Sequence, residues 1–456
     1  MEALGMTEIA DAVAGELINE EDFRIDSIST DTRQLEPGDL FIALLGENFD
    51  AHDFLAQAFE KGARAAVVES GREYDVKKPL IKVEDTTRAL QDLAAYYLEQ
   101  LSLTVIAVTG STGKTTTKDL TASVVKQRYE TLKTQGNFNN EIGLPLTLFR
   151  LDESHEAVVL EMGMRGVGEI AHLTEIAPPD IGVVTNVGKT HIELLGSVAK
   201  IAQAKSELVQ SLDEKGTAIL NADDERVKAM SELTKANVIY YGINKEANLK
   251  GREIRTLTSP DRVSFQLEVG TKSSEIMLPM PGEYNVYNAL AAAAVGRELG
   301  IDLAEIKEGL ATASLTDKRN QIIKSAQGIK IINDTYNANP TSVRAGLNTL
   351  SQIAEGRKIA ILGDMLELGE VAEKEHYKLG SVIIEEGIDY LITIGDLALK
   401  IAEGAEDKGL DKSKIFTYNR KREAIDKIEE IMETDDTILV KASRGMKLEE
   451  IVASIS

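Results

Sequence analysis

Residues 109 to 118 read Thr-Gly-Ser-Thr-Gly-Lys-Thr-Thr-Thr-Lys and follow the apolar run Leu103 to Val108. Gly110 and Gly113 flank the small hydroxyl residues Ser111 and Thr112, and Lys114, Thr115 and Thr116 come next. A buried strand that ends in such a loop and turns into a helix presents several backbone N–H groups at the helix N-terminus, where partial positive charge gathers. Lys114 adds a full positive charge. The combination suits a polyphosphate, and the sequence points to ATP binding with Lys114 as the catalytic cation. The common phosphate loop has a glycine five residues ahead of the Gly of Gly-Lys. Val108 takes that place, so the loop is a shortened form. A tight turn rich in small residues is the plainer explanation, but turn chemistry needs neither the lysine nor the threonines.

Magnesium usually accompanies such a nucleotide, and it takes hard oxygen ligands, often one or two carboxylates besides the phosphates. Thr115 offers a hydroxyl directly after the loop lysine. Glu161 ends the apolar run Ala157 to Met162, and His191 follows the run Ile181 to Asn186. Open α/β sheets build their sites at the C-terminal strand edge. An unpaired carboxylate there is costly to bury, so Glu161 reads as a metal ligand rather than core. His191 divides evenly between a second-metal ligand and a surface residue.

These side chains need a scaffold, and the chain supplies three blocks. Residues 1 to about 98 alternate short strands (Ser27 to Ser29, Leu40 to Leu44, Ala65 to Val68) with helical patterns at Phe54 to Lys61 and Thr87 to Gln100. The second block repeats strand then helix, with strands at Thr104 to Val108, Ala157 to Met162, Ile181 to Asn186, Thr217 to Asn221 and Val238 to Gly242. Strands this apolar are buried on both faces, which predicts a doubly wound, mostly parallel sheet. The third block starts again with Lys330 to Asn333, Lys358 to Leu362, Tyr390 to Ile394 and Thr437 to Lys441. The expected fold is therefore α/β in three domains: a small N-terminal α/β domain over 1–98, a central ATPase-type sheet over 99–314 and a C-terminal Rossmann-like domain over 315–456.

Composition excludes other classes. A chain of 456 residues is too long for one ordinary core and fits about three domains. A net charge of −24 opposes a nucleic-acid surface, which needs clustered Lys and Arg. With no Cys there is neither disulfide nor thiolate chemistry, in keeping with a reducing cytoplasm. Met1 to Leu17 lack a basic start and apolar block, and no run approaches a membrane span, so membrane insertion is not expected. Nothing demands more than a monomer. A GTPase would want Asn-Lys-x-Asp, whereas Asn244-Lys245 is followed by Glu246-Ala247.

The loop at 109–116, Glu161, and Thr185-Asn186 leading to His191 resemble, in order and spacing, the central domain of the Mur ligases of bacterial cell-wall synthesis. Three further stretches carry the resemblance: Gly136 to Pro145, Leu362 to Gly369 and Val440 to Met446. They are most similar to the branch that joins D-alanyl-D-alanine to UDP-N-acetylmuramoyl-tripeptide. The resemblance implies an ATP-dependent ligase working through an acyl phosphate. It also implies that the first block binds uridine nucleotide through Ser29, Asp31, Thr32 and Arg33, and that Asn139 and Asn140 meet substrate. Asn285 and Asn288 correspond to base contacts, with Tyr284 where the family usually has His. Arg319 corresponds to an arginine that reaches ATP, preceded by Lys318 in place of the usual Gly. In Asn333 to Pro340, Asp334 corresponds to a ribose contact, and Asn337 and Asn339 to substrate contacts. Ala442 replaces a more usual Gly.

Relatives also carry a CO2-modified lysine where Lys205 stands. An ammonium has no lone pair for a metal. Carbamylation would turn Lys205 into a carboxylate, hence a catalytic and metal-binding group beside His191, and it requires a site that lowers the lysine pKa. A solvated helix lysine is the alternative. The acyl phosphate must be kept from water, so a hinge near residues 313 to 318 is expected to close the third domain over the second.

Overall fold

The computed structural model describes residues 1–19, 21–46, 49–258, 261–325 and 328–456. Backbone contacts divide the chain into two units: Met1–Ala107 with Tyr129–Met164 and Glu169–Asp180, and Val108–Arg128 with Arg165–Gly168 and Ile181–Ser456.

The first unit holds a five-stranded sheet in the order Glu16–Ile18, Leu80–Val83, Ala65–Glu69, Leu40–Ile42, Ile28–Ser29. All pairings are parallel except that of Glu16–Ile18. Helix Thr86–Glu99 starts where the Asp85 carboxylate accepts from Thr87 N and Arg88 N, and it buries Ala89, Leu90, Leu93, Ala94 and Tyr97. A parallel pair, Thr131–Lys133 and Ala157–Glu161, completes the strands needed below.

In the second unit, strands Ile181–Val184, Thr217–Asn221, Asn237–Gly242 and Leu249–Thr258 lie parallel in that order. Asp261–Val269 and Lys272–Leu278 extend them antiparallel. These hairpins were not foreseen. The strand Asp261–Val269 buries Val263, Phe265 and Leu267 together with the polar Ser264, and so lacks the continuous apolar runs of the parallel strands.

A six-stranded sheet follows in the order Gln321–Lys324, Lys330–Asp334, Thr437–Lys441, Lys358–Gly363, Tyr390–Ile394, Ile415–Tyr418. Only the first pairing is antiparallel. Val343, Leu347 and Leu350 of helix Pro340–Ile353 pack in one buried cluster with Leu379, Val382 and Ile401. Ile428, Ile451 and Val452 belong to the other. Two apolar faces under helices make this a doubly wound sheet, as the strand pattern implied.

Candidate functional site

The phosphate loop lies between strand Thr104–Thr109 and helix Lys114–Val125. Gly113, the residue before the helix, has φ +81°, and Gly110 has φ +152°. A Cβ on Gly110 would stand 1.8 Å from Thr185 Oγ1, and one on Gly113 would stand 2.5 Å from Asn288 Oδ1. Both positions thus require glycine, for backbone angle and for space.

Thr185 and Asn186 clamp the loop from the neighbouring strand end. Asn186 Oδ1 accepts from Thr112 N and Thr112 Oγ1, each at 3.0 Å, while its Nδ2 donates to Thr112 O. Thr185 Oγ1 donates to the same carbonyl at 2.6 Å. Ser111 N donates to Asn186 O, and Gly188 N donates to Ser111 Oγ. The loop is therefore shaped before any ligand arrives, which leaves the amides of the first helical turn directed outward. Lys114 Nζ folds back to donate to Gly110 O at 2.9 Å.

A cavity of about 310 Å³ opens over this loop. It brings together Ser111, Thr112, Gly113, Lys114, Thr115 and Thr116 with His191, Asn288, Arg319, Asp334, Asn337 and Asn339. Asn285 is not among its lining residues. Its Nδ2 donates to Pro281 O and its Oδ1 accepts from Asn288 Nδ2, so it holds Asn288 in place. Asn288 Oδ1 in turn accepts from Thr117 Oγ1 on the loop helix.

At the far end, Lys441 Nζ donates to Asp334 Oδ2 and, at 2.9 Å, to Asn337 O. Burial pulls the Lys441 pKa down while Asp334 holds it up. Asn339 caps helix Pro340–Ile353 by accepting from Ser342 N. The Arg319 guanidinium lies 3.8 Å from the Tyr336 ring centroid. Thr190 Oγ1, Arg319 Nε and Asn320 Oδ1 are buried with no hydrogen-bond partner among the described residues. Such atoms are expensive to leave unmet, so a polar ligand suits the cavity.

Lys205, on helix Val198–Gln210, is 2% exposed. Desolvation, then the nearby Lys114 charge, drives its pKa well below the ordinary lysine value. His191, at φ +55°, has Nδ1 2.6 Å from a Glu367 carboxylate oxygen. Desolvation is the largest influence on its ring and lowers its pKa, with Lys114 and Lys205 acting the same way and Glu367 opposing.

Glu161 belongs to the first unit. Its Oε1 accepts from Asn139 Nδ2 at 2.8 Å, and its buried Oε2 has no hydrogen-bond partner among the described residues. That spare carboxylate oxygen fits a hard cation. No group of three or more His, Asp and Glu able to hold a metal occurs among the described residues. Magnesium on a nucleotide does not need one, because phosphates and water supply most of its ligands. Asn140 Oδ1 accepts from Gly143 N and shapes the local turn.

Ser29 is buried at the end of strand Ile28–Ser29, and Asp31, Thr32 and Arg33 follow it in a turn nearer the surface. Asp31 Oδ2 lies 2.7 Å from Arg33 Nη2, and this bond is the first cause holding the Asp31 carboxyl below its usual range. Thr32 Oγ1 donates to Gln57 Oε1.

Sequence reasoning gave no role to Thr185 and Asn186 beyond their motif, and none to Lys441, Tyr336, Thr190 or Asn320. A lysine closing the apolar strand Thr437–Lys441 carried the same signal as Glu161 and was the most legible of these.

A further cavity of about 130 Å³ shares Thr190, His191, Asn337 and Asn339 with the first. Leu366, Glu367, Ser443 and Arg444 complete its wall.

Three family models match: the Mur ligase middle domain over 108–296, the Mur ligase glutamate ligase domain over 318–444, and the Mur ligase family catalytic domain over 24–98. A Bacillus subtilis protein named UDP-N-acetylmuramoyl-tripeptide–D-alanyl-D-alanine ligase is 42% identical over 98% of this chain and 97% of its own length. The Escherichia coli protein of that name is 36% identical over 100% and 99%. Crystal structure I of MurF from Acinetobacter baumannii superposes with a TM-score of 0.92 at 34% identity, covering 100% of this chain and 99% of that one. MurF ligase from Thermotoga maritima in complex with ADP gives 0.83 at 28%, covering 94% and 96%.

Proposed function

The chain belongs to the Mur ligase family, and we propose that it is an ATP-dependent amide-bond ligase joining D-alanyl-D-alanine to UDP-N-acetylmuramoyl-tripeptide in peptidoglycan precursor synthesis. One observation carries the reading: a single cavity unites the phosphate loop and Thr115 with Arg319, Asp334 and Lys441.

A carboxylate does not condense with an amine until one of its oxygens becomes a leaving group. The terminal carboxylate of the tripeptide attacks the γ-phosphorus of ATP, the bond to the β–γ bridging oxygen breaks, and ADP and an acyl phosphate result. The free amine of D-alanyl-D-alanine attacks the acyl carbon, the C–O bond breaks, the nitrogen loses its proton, and phosphate departs. Lys114 and the first-turn amides offset charge on the moving phosphoryl group, where positioning and electrostatics do most of the catalysis.

In the second unit Thr115, His191 and, once it is no longer a cation, Lys205 would hold magnesium, and in the first unit Glu161 would. The ion would screen phosphate charge and polarise the γ-phosphoryl group. Burial and the Lys114 charge favour a neutral Lys205 amine, which adds CO2 and sheds a proton to become a carbamate. A negative group there relieves the repulsion from Lys114.

The smaller cavity suits the dipeptide. Arg444 offers a cation for its carboxylate, Leu366 an apolar contact for a methyl, and Glu367 an acceptor near His191 for its amine. The Ser29 to Arg33 segment and the first sheet serve the uridine nucleotide, and Asn139, which also orients Glu161, and Asn140 meet substrate. The three family matches support domains at 1–98, 99–314 and 315–456. Closure swings on residues 313 to 318, where Thr316 N donates to Asp119 Oδ2 of the loop helix. We place the enzyme in the cytoplasm, as a monomer.

A coupled ADP-release assay over a panel of UDP-linked peptides and dipeptide acceptors tests the assignment. Release should require both the UDP-tripeptide and D-alanyl-D-alanine, whereas ATP turnover with neither present would mark a motor or switch.

A further inference from the structure

Asn320 combines three features that no role so far accounts for. Its backbone is left-handed, at φ +48°, a conformation uncommon outside glycine, though asparagine enters it more readily than most residues. Its Oδ1 is buried without a hydrogen-bond partner. It also lines the cavity that the phosphate loop opens into. Strain and an unmet buried acceptor each cost stability, and both persist where a ligand uses them.

Its place in the sheet narrows what that ligand group is. Gln321 pairs with Asn333 across the antiparallel edge, so Asn320 stands opposite Asp334. Asn320 N points to Asp334 Oδ1 at 3.4 Å, and Asp334 Oδ2 is taken by Lys441. The Asn320 backbone thus meets the Asp334 carboxylate, and both side chains, each with acceptor oxygens, line the same cavity. Phosphate oxygens are acceptors themselves and find no partner in Oδ1. Adenine carries its donor hydrogens on one amino nitrogen. Ribose alone presents two donors on adjacent carbons, which matches two such acceptors.

We infer that Asn320 is a specificity-determining residue for the nucleotide, its Oδ1 accepting a hydrogen bond from one ribose hydroxyl while Asp334 receives the other. This rests on the reading of the cavity as an ATP site. The residue selects a ribonucleotide over its deoxy counterpart and fixes the sugar, and hence the line from sugar to γ-phosphorus.

The test is calorimetric binding of ADP, 2′-deoxy-ADP and 3′-deoxy-ADP, with magnesium, to the full chain and to Asn320→Gly. Glycine accepts the left-handed backbone without strain and removes only the amide, so the variant keeps its fold. In the unaltered protein each deoxy analogue should bind about tenfold more weakly than ADP, the worth of one hydrogen bond. In Asn320→Gly one of those two ratios should collapse to about one while the other persists. Both ratios unchanged in the variant, or neither present in the unaltered protein, would overturn the inference. Failure of the unaltered protein to bind ADP at all would instead remove the ATP site on which it rests.

Discussion

Gly110→Ala puts the geometry of the phosphate loop to a quantitative test. The new Cβ would stand 1.8 Å from Thr185 Oγ1, and real Cβ atoms essentially never come within 3.0 Å of a neighbour, so something must shift by roughly 1 Å or more. Thr185 is poorly placed to move. Its hydroxyl donates to Thr112 O, its N–H donates to Thr109 O, and its carbonyl accepts from Asn221 Nδ2. The loop therefore gives way, and the amides proposed to address the γ-phosphate move with it. A misplacement of about 1 Å costs on the order of a hundredfold in rate. The positive φ of 152° adds backbone strain of about 1–3 kcal/mol to the stability loss. Steady-state ADP release with both substrates present should show kcat/KM for ATP falling by about a hundredfold. Gly270→Ala is the control, since its φ is +59° with open space around a Cβ. It should lose stability without losing activity. If Gly110→Ala kept its rate to within about threefold, the steric argument would be refuted.

Lys441→Met leaves the buried Asp334 carboxylate without its cation, and denaturant melts should show a loss of about 3–5 kcal/mol. A loss below about 1 kcal/mol would mean that the pair is better solvated than its burial implies. Lys205→Ala should abolish activity while keeping the fold, and added short carboxylic acids should restore part of it; the absence of any rescue would speak against a carbamate. His376 is fully buried, with Nε2 accepting from Met365 N and Nδ1 donating to Ala372 O, so its ring is neutral. Burial lowers its pKa below 6.5. The unfolded state then takes up the proton first as pH falls, so stability drops below about pH 6.5, by at most about 1.4 kcal/mol per pH unit from this group. NMR titration of the ring should give a pKa below that of a free histidine, and a higher one would contradict the burial argument. Small-angle scattering should show compaction on binding an ATP analogue with UDP-tripeptide, and unchanged dimensions would tell against the hinge.

The parallel strands were legible because burial on both faces writes continuous apolar runs, and Thr217–Asn221, Tyr390–Ile394 and Thr437–Lys441 appear with the bounds read from sequence. The edge hairpin Asp261–Val269 and Lys272–Leu278 was not, since half-buried strands mix polar and apolar residues. In the site, the phosphate loop announced itself because glycine, lysine and threonine must be contiguous there. Lys441 and Asn320 act across a sheet, and their spacing to Asp334 exists only once Gln321–Lys324 and Thr437–Lys441 have paired with Lys330–Asp334. Asn285 shows the opposite limit. A motif placed it at the nucleotide, whereas its hydrogen bonds go to Pro281 and Asn288.

The central claim is that the γ-phosphoryl group passes to the acid end of the peptide before the amide bond forms. UDP-tripeptide labelled with oxygen-18 in its terminal carboxylate tests this directly, by mass spectrometry of the phosphate released during ligation to D-alanyl-D-alanine. The mechanism predicts that each phosphate carries one oxygen from the labelled carboxylate. Amide product accompanied by unlabelled phosphate would contradict it.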